Sequence, residues 1–311
     1  MYMLEAPFES VESVETRAGY VALVGRPNVG KSSLLNALVG ERLSIVTPRA
    51  QTTRDRVLGI YTDEEGQIIF VDTPGILSPR YLLQHGMLSA ASSAIQESDA
   101  ILLLLDPTSA DPVPGPEVLE LLSGRLEDLF IALNKVDLAS ESQIEALISW
   151  SSRELGRDPF LISALEGTGV DLLRDRLLAA MPPSPYLYPP EDLAVQPVRF
   201  FVAELIRETI FEECHQEIPY STAVVIEEFR ESTDPILIRA VIYVERESQK
   251  GIVVGRGGTL IRKIGVRSRE KIEEFVDARI YLDLWVKVLP KWRKRRGALR
   301  RLGYPLPPEK E

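Results

Sequence analysis

The chain has 311 residues, 45% of them hydrophobic, with one cysteine and a formal charge of −10 at neutral pH. That length allows two domains, each with enough apolar material for a core. The lone Cys214 excludes an internal disulfide, reads as a small buried residue and fits a reducing cytosol, and the longest apolar runs, such as Ala100 to Leu105, are too short to cross a bilayer.

Met1 to Gly19 is acidic through Glu5, Glu9, Glu12 and Glu15 and has neither a basic start nor an apolar stretch, so a disordered leader over residues 1–18 is expected rather than a signal peptide. Tyr20 to Val24 then reads as a strand. It runs into Gly25-Arg26-Pro27-Asn28-Val29-Gly30-Lys31-Ser32, and a helical pattern of Leu34, Leu35, Leu38 and Val39 follows Ser33. This is G-x-x-x-x-G-K-[ST] in its strand, loop and helix setting. A phosphate chain concentrates negative charge, and here backbone N–H groups, a helix N-terminus and an ammonium converge to hold it. Gly25 and Gly30 permit turns and a close backbone approach that a Cβ would block. Lys31 is set to reach the β- and γ-phosphates and the Ser32 hydroxyl to ligate Mg2+.

Strands and helices alternate from here to residue 182. Strands are expected at Val57 to Tyr61, Gln67 to Val71, Ala100 to Leu105, Leu129 to Asn134 and Phe160 to Ile162. Helices are expected around Leu88 to Ser98 and from Glu117, Glu141 and Gly169. The pattern predicts an α/β fold, a doubly wound, mostly parallel sheet of the P-loop NTPase type with ligands beyond the carboxyl ends of the strands.

The remaining motifs fall at those ends. In Pro48-Arg49-Ala50-Gln51-Thr52-Thr53-Arg54-Asp55 a threonine hydroxyl can complete a Mg2+ shell when a γ-phosphate is present, with Thr53 the first choice and Thr52 the second. Asp72-Thr73-Pro74-Gly75 places a carboxylate for Mg2+ at a strand end and offers the Gly75 N–H to the γ-phosphate. In Asn134-Lys135-Val136-Asp137, Asp137 can accept both donors of the guanine edge, a pair that adenine lacks. Asn134 either reaches the opposite edge of the base or ties the loop to the phosphate loop, and the Lys135 stem covers the ring. Ser163-Ala164-Leu165 closes a strand where N–H groups can meet the guanine O6.

Four loops in this order and spacing resemble a translation-factor-type GTPase domain. The resemblance implies Mg2+-dependent GTP hydrolysis, with Lys31, Thr53 and Gly75 in catalytic places. Ile76 stands where Ras-like enzymes carry glutamine, and an apolar side chain cannot orient the attacking water, so slow turnover is expected. Relatives with that replacement often use potassium held by a phosphate-loop asparagine, and Asn28 occupies the matching place.

Proline-dense Met181 to Pro190 reads as a semi-rigid linker, within a connection over residues 183–196. A second domain follows over 197–303, with residues 304–311 as a tail. Phe200 to Ile210 is an amphipathic helix, and Ala223 to Phe229 and Ile236 to Val244 are strands. Gly255-Arg256-Gly257-Gly258 is a G-x-x-G between helical turns, where glycines let a nucleic-acid backbone press against the loop. Arg262 and Lys263 follow it, then the strand Ile280 to Val288 with Lys287, then a cluster of Lys291, Arg293, Lys294, Arg295 and Arg296 around Trp292. Gly251 to Arg301 holds 15 Lys and Arg against 5 Asp and Glu, a local balance of +10 that leaves −20 elsewhere, and such a surface suits a polyanion.

The order helix, strand, strand, helix, G-x-x-G, helix, strand resembles an α+β type II KH domain. RNA is the first reading for the basic tail; an anionic membrane surface and a plain solvated helix face are the others. Trp285, inside an alternating strand, is expected in the core, and His85 and His215 lack the neighbours of a metal site. Over nearly the whole chain the pair of domains resembles an Era-type GTPase, a likeness strengthened by Leu282-Asp283-Leu284-Trp285-Val286-Lys287-Val288. Ala194-Val195 departs from the Thr-Asp expected there, which puts the docking of the two halves in question. The resemblance implies GTP and GDP as ligands, binding to the 3′ end of small-subunit ribosomal RNA, assistance in small-subunit assembly and a cytoplasmic place, with no DNA partner. An RNA-binding assembly scaffold with a structural nucleotide, and a signalling GTPase peripheral at the inner face of the cell membrane, are the competing readings.

Overall fold

The computed structural model describes residues 16–47, 49, 52–76 and 78–307. The expected leader up to residue 15, Pro48, Ala50 and Gln51 of the threonine loop, and residues 308–311 of the tail lie outside the described residues. Arg17 and Ala18, placed in the leader by the sequence, belong instead to the first strand.

The first half runs β1 (Arg17–Gly25), α1 (Lys31–Val39), β2 (Val57–Thr62), β3 (Gly66–Asp72), α2 (Leu82–Glu97), β4 (Ala100–Leu105), α3 (Pro116–Leu122), β5 (Leu129–Leu133), α4 (Glu141–Leu155), β6 (Phe160–Leu161) and α5 (Val170–Ala180). The strands form one sheet in the order β2-β3-β1-β4-β5-β6, parallel except where β2 meets β3. Side chains alternate between its faces. Val21 and Leu23 pack with α1 and α5, whereas Ala22 and Val24 pack with α2, α3 and α4. Local signals set several ends: Ser140 and Gln143 close a capping box at the start of α4, and Gly156 in the left-handed region ends it. Helix α2 starts at Leu82, earlier than the pattern from Leu88 suggests, because Leu83 and Met87 are buried against the other half of the molecule.

The second half runs α6 (Val198–Glu213), α7 (Ile218–Ser221), β7 (Ala223–Arg230), β8 (Ile236–Val244), α8 (Glu247–Val254), α9 (Thr259–Val276), β9 (Ile280–Val288) and α10 (Arg296–Arg301). Its sheet has the order β7-β8-β9, with β7 antiparallel and β9 parallel to β8. One face packs Ile238, Ala240 and Ile242 under α6, α8 and α9, through Val202, Ile206, Val253, Ile264 and Ile272. The opposite face packs Ala223, Val241 and Tyr243 against Trp292 and Leu299 and against Leu83 and Met87 of α2.

One expectation fails in physical terms. Trp285 is 56% exposed rather than in the core. It points to the face away from the helices, and the apolar cap on that face covers β7 and β8 without reaching it. The proline-dense linker is bound along the first sheet: Tyr186 donates to the Asp63 carbonyl at 2.7 Å, and Gln67 accepts from the N–H groups of Leu187 and Tyr188 at 2.8 and 2.9 Å. Beyond it, the Ile60 N–H donates to the Leu193 carbonyl at 2.9 Å and Ala194 bridges Gly59, so the connection pairs with the edge strand β2. Gln196 finishes the pairing by donating to the Arg56 carbonyl at 2.9 Å and accepting from the Leu58 N–H at 3.2 Å.

The basic tail is anchored by a fully buried Trp292, whose Nε1 donates to the Ser221 carbonyl at 2.9 Å and whose ring stacks on Tyr304 at 5.5 Å. Trp292→Ala is expected to cost about 3–5 kcal/mol in urea unfolding followed by circular dichroism. A loss below about 1 kcal/mol would show that the segment is not part of the core.

Candidate functional site

The motifs at the carboxyl ends of β1, β3, β5 and β6 meet around a cavity of about 420 Å³. Pro27, Asn28, Gly30, Lys31, Ser32 and Ser33 form its floor, with Thr52, Thr53 and Gly75 on one side and Asn134, Lys135, Asp137, Ser163, Ala164 and Leu165 on the other. The phosphate loop keeps its shape through Gly30, which has φ 97° and leaves no room for a side chain. A Cβ there would lie 2.2 Å from the Asn134 amide nitrogen. Gly75 likewise lets the Asp72 loop close on the phosphate loop, since a Cβ would lie 2.8 Å from Cα of Pro27.

Asn134 makes the second of its two anticipated contacts. Its amide donates to the Val29 carbonyl at 2.8 Å and its oxygen accepts from the Ala164 N–H at 2.9 Å, binding three loops together. Lys135 donates to the Asn28 carbonyl at 2.8 Å and to Asp106 at 2.6 Å. Asp137 is exposed and lines the cavity, as do the exposed Leu138 and Leu165. The motif reading missed Leu138, as it missed Ile45, Val46 and Thr47, which also line the cavity. Their only signal is proximity in the chain: Leu138 directly follows Asp137, and Ile45, Val46 and Thr47 lead into the threonine loop at Pro48. Exposed leucines in such a wall suit the faces of a flat base.

Other expected residues lie off the cavity. Thr73 is turned into the core, donating to the Leu23 carbonyl at 2.7 Å, and Pro74 is buried beside it. Val136 donates through its backbone to Ile162 at 3.3 Å. Ile76 is buried in the apolar layer and its N–H donates to the Gly25 carbonyl at 3.3 Å. Gly25, Arg26 and Val29 border a neighbouring hollow, across which Arg26 pairs with Asp111.

Hard oxygen donors converge at Asp72. Its Oδ2 accepts from Ser32 at 2.7 Å, Ser44 at 3.1 Å and Thr53 at 3.3 Å, and the two hydroxyls of Ser32 and Thr53 are 3.0 Å apart. Burial pushes the Asp72 carboxyl up, opposed by Lys31 and by the three hydroxyls. Its Oδ1 is buried without a hydrogen-bond partner among the described residues. Such an orphaned oxygen beside two hydroxyls fits Mg2+, which takes few protein ligands and keeps waters and phosphates for the rest.

The second sheet carries the G-x-x-G. Gly255, Gly257 and Gly258 have φ of 74°, 57° and 76°, values that a side chain would strain, and Arg256 between them is exposed. A groove of about 500 Å³ opens between α9 and β9, lined by Gly258, Arg262, Gly265, Arg269, Tyr281 and Leu284 among others. Several basic residues assigned to RNA are already engaged. Lys263 pairs with Glu213 at 2.6 Å, Lys287 with Glu227 at 3.0 Å on the face away from α9, and Arg293 with Glu245. Arg296 donates to the Pro307 carbonyl at 2.6 Å. Lys291, Lys294 and Arg295 are exposed, but they belong to the segment covering the sheet face opposite α9.

A family model described as 50S ribosome-binding GTPase matches residues 20–135, and a KH domain model matches residues 217–293. The chain is 43% identical to the GTPase Era of Thermotoga maritima over 282 residues, covering 90% of this chain and 94% of that protein. The chain belongs to the Era family of GTPases. The Era of Carboxydothermus hydrogenoformans is 41% identical over 93% of the chain and 98% of its own length. Among solved structures, a single-residue variant of Aquifex aeolicus Era bound to GDP.AlF4- superposes with a TM-score of 0.87 at 36% identity, covering 94% of this chain and all of that one. Era in complex with MgGDPNP and nucleotides 1506–1542 of 16S ribosomal RNA gives the same TM-score, identity and coverage. This Era-family chain is therefore a GTP-hydrolysing enzyme with a P-loop GTPase fold and a C-terminal, RNA-binding KH domain.

Burial pushes the Lys31 ammonium down to about 8 against the pull of Asp72, and its Nζ donates to the Gly25 and Arg26 carbonyls at 3.2 and 3.1 Å. Bound phosphates supply the anion that restores its charge, so binding takes up a proton above that pH and affinity falls as pH rises. From pH 7 to pH 8.5 the GDP dissociation constant is expected to rise about fourfold by calorimetry, with proton uptake seen in buffers of different ionisation enthalpy. A constant affinity would remove the lysine effect. Asp137→Asn should weaken GDP at least about a hundredfold and favour XDP, whose C2 carbonyl accepts where guanine donates; unchanged preference would displace Asp137 from the base site.

Proposed function

We propose that this Era-family GTPase couples its nucleotide state to RNA binding, that its RNA is the 3′ end of small-subunit ribosomal RNA, and that it assists small-subunit assembly in the cytoplasm. The supporting observation is that both segments beside the γ-phosphate position rest on the KH half. Arg49 of the threonine loop donates to the Cys214 carbonyl and meets His215 Nδ1 at 2.9 Å, and α2, which follows Gly75, buries Leu83 and Met87 against β8 and Trp292. A loop reordered by GTP cannot move without altering those contacts. The ribosomal partner is supported by the neighbour solved with MgGDPNP and a 16S fragment.

The division we propose is a GTPase domain over residues 19–182, extended back to Arg17 by β1, a connection over 183–196 and a KH domain over 197–303. In the nucleotide site Ser32, Thr53 and Asp72 hold Mg2+, which when bound offsets the charge that develops across the β- and γ-oxygens. Lys31 neutralises the phosphates, the Gly75 N–H orients the γ-phosphate, and Asp137 selects guanine. The buried Ile76 leaves water without a side chain to orient it, which supports slow turnover and a potassium ion near Asn28; hydrolysis faster in potassium than in sodium chloride would bear this out. No helix among the described residues is long and apolar enough to cross a membrane. The apolar residues Trp292 and Leu299 of the basic segment face inward, which disfavours the membrane surface reading.

By linkage, GTP must raise RNA affinity by the factor by which RNA raises GTP affinity. RNA binding measured with a GTP analogue, with GDP and with neither is expected to differ by about five- to 150-fold between the extremes. Three equal affinities would reject the coupling, and crosslinked RNA spread over the transcriptome, rather than concentrated at one ribosomal terminus, would reject the partner.

A further inference from the structure

Thr53 is flanked by two residues whose positions are fixed from outside the GTPase fold. On one side the Thr52 carbonyl accepts from Nη2 of Arg207, a residue of α6 that is 1% exposed and ion-paired with Glu204. On the other, Arg54 is 4% exposed and donates to the carbonyls of Thr222 at 2.6 Å, Pro219 at 2.9 Å and Tyr220 at 3.2 Å. Its guanidinium also lies 5.8 Å from the Trp292 ring and 5.9 Å from that of Tyr304. Those carbonyls lie at the end of α7, where a helix leaves acceptors without internal partners. The Thr53 hydroxyl, 3.0 Å from Ser32 and 3.3 Å from Asp72, therefore sits on a three-residue bridge with both ends tied to the KH domain. Among the described residues of this loop, Thr47, Arg49, Thr52 and Thr53 are only partly buried. Arg207 keeps one further nitrogen, Nη1, buried without a hydrogen-bond partner among the described residues.

We infer that Arg207 is a positioning residue for GTP hydrolysis: from α6, the KH domain supplies the group that fixes the Thr52 backbone so that the Thr53 hydroxyl meets Mg2+ and the γ-phosphate. This rests on the reading of Thr53 given above. It makes the KH domain part of the hydrolytic site rather than only its beneficiary. Arginine suits the task because a planar, permanently charged fork can hold Glu204 and the Thr52 carbonyl together, which a lysine ammonium cannot do in the same geometry.

The test is single-turnover hydrolysis and nucleotide affinity in full-length Arg207→Ala and Arg207→Lys, with folding followed by circular dichroism. Removing a charged hydrogen bond is expected to slow hydrolysis about tenfold to a hundredfold in the alanine variant and less in the lysine variant. Binding of GTP analogue should weaken in parallel, while GDP, which has no γ-phosphate, binds within about twofold of the parent. Unchanged hydrolysis in both folded variants would overturn the inference, and so would equal losses for GDP and GTP analogue, which mark general loosening. If the alanine variant does not fold, the lysine variant alone decides by the same criteria. Thr53→Ala, measured alongside, separates the two levels. If it leaves hydrolysis and its Mg2+ dependence intact, the site reading fails; if it abolishes hydrolysis while the Arg207 variants do not, only the positioning role fails.

Discussion

A carboxylate withdrawn from water at the end of a central strand persists only where donors are brought to it, and Asp72 collects them from three separate segments. Ser32 comes from the first turn of α1. Ser44 comes from the loop after that helix, which Asn36 holds by accepting from the N–H groups of Leu43 and Ser44 at 2.9 Å each and donating to the Ser44 carbonyl at 3.0 Å. Thr53 comes from the loop that reaches the KH domain. Because all three act on Oδ2, the arrangement is tight on one side and unsatisfied on the other. The same carboxylate thus ties these loops together and keeps an oxygen of the kind a hard cation would take.

The two halves are joined by the apolar seam of Leu83 and Met87 on β8 and Trp292, and beside it by buried polar groups. Glu208 of α6 accepts from Arg42 at 2.7 Å and from Lys271 of α9 at 2.8 Å, so one carboxylate touches both the GTPase fold and the helix that follows the G-x-x-G. Buried charges of this kind are poor sources of net stability but strict about geometry, since separating any one leaves the others desolvated. They favour a small number of discrete arrangements over a continuum, which suits the proposed coupling of nucleotide state to RNA binding.

Much of the first half was legible because its signals are local. Ala100 to Leu105 is apolar at every position and bounded by Asp99 and Asp106, and the strand has those limits. Helix α4 begins at Glu141 directly after a capping serine. The nucleotide loops were readable because their chemistry is encoded in four to eight consecutive residues. What stayed hidden depends on distant partners. That Lys263 meets Glu213, or Arg293 meets Glu245, follows from how helices and sheet pack, and a count of basic residues cannot show which charges are already neutralised. The alternation around Trp285 revealed two faces but not which one would be covered. Thr73 looked like part of a phosphate motif, yet its hydroxyl serves the Leu23 carbonyl, a neighbour supplied by the adjacent strand.

The connection between the halves carries a mechanical implication. Residues 193–196 hydrogen-bond to the free side of β2, and β2 begins three residues after Arg54. An otherwise bare sheet border is thereby covered, which removes a template for unwanted strand addition. The cover is also a tether. Helix α6 starts just beyond Gln196, so a displacement of β2 is delivered to that helix through paired backbone rather than through a slack string. Only Pro197 separates the last paired residue, Gln196, from the first residue of α6, so little slack remains between sheet border and helix.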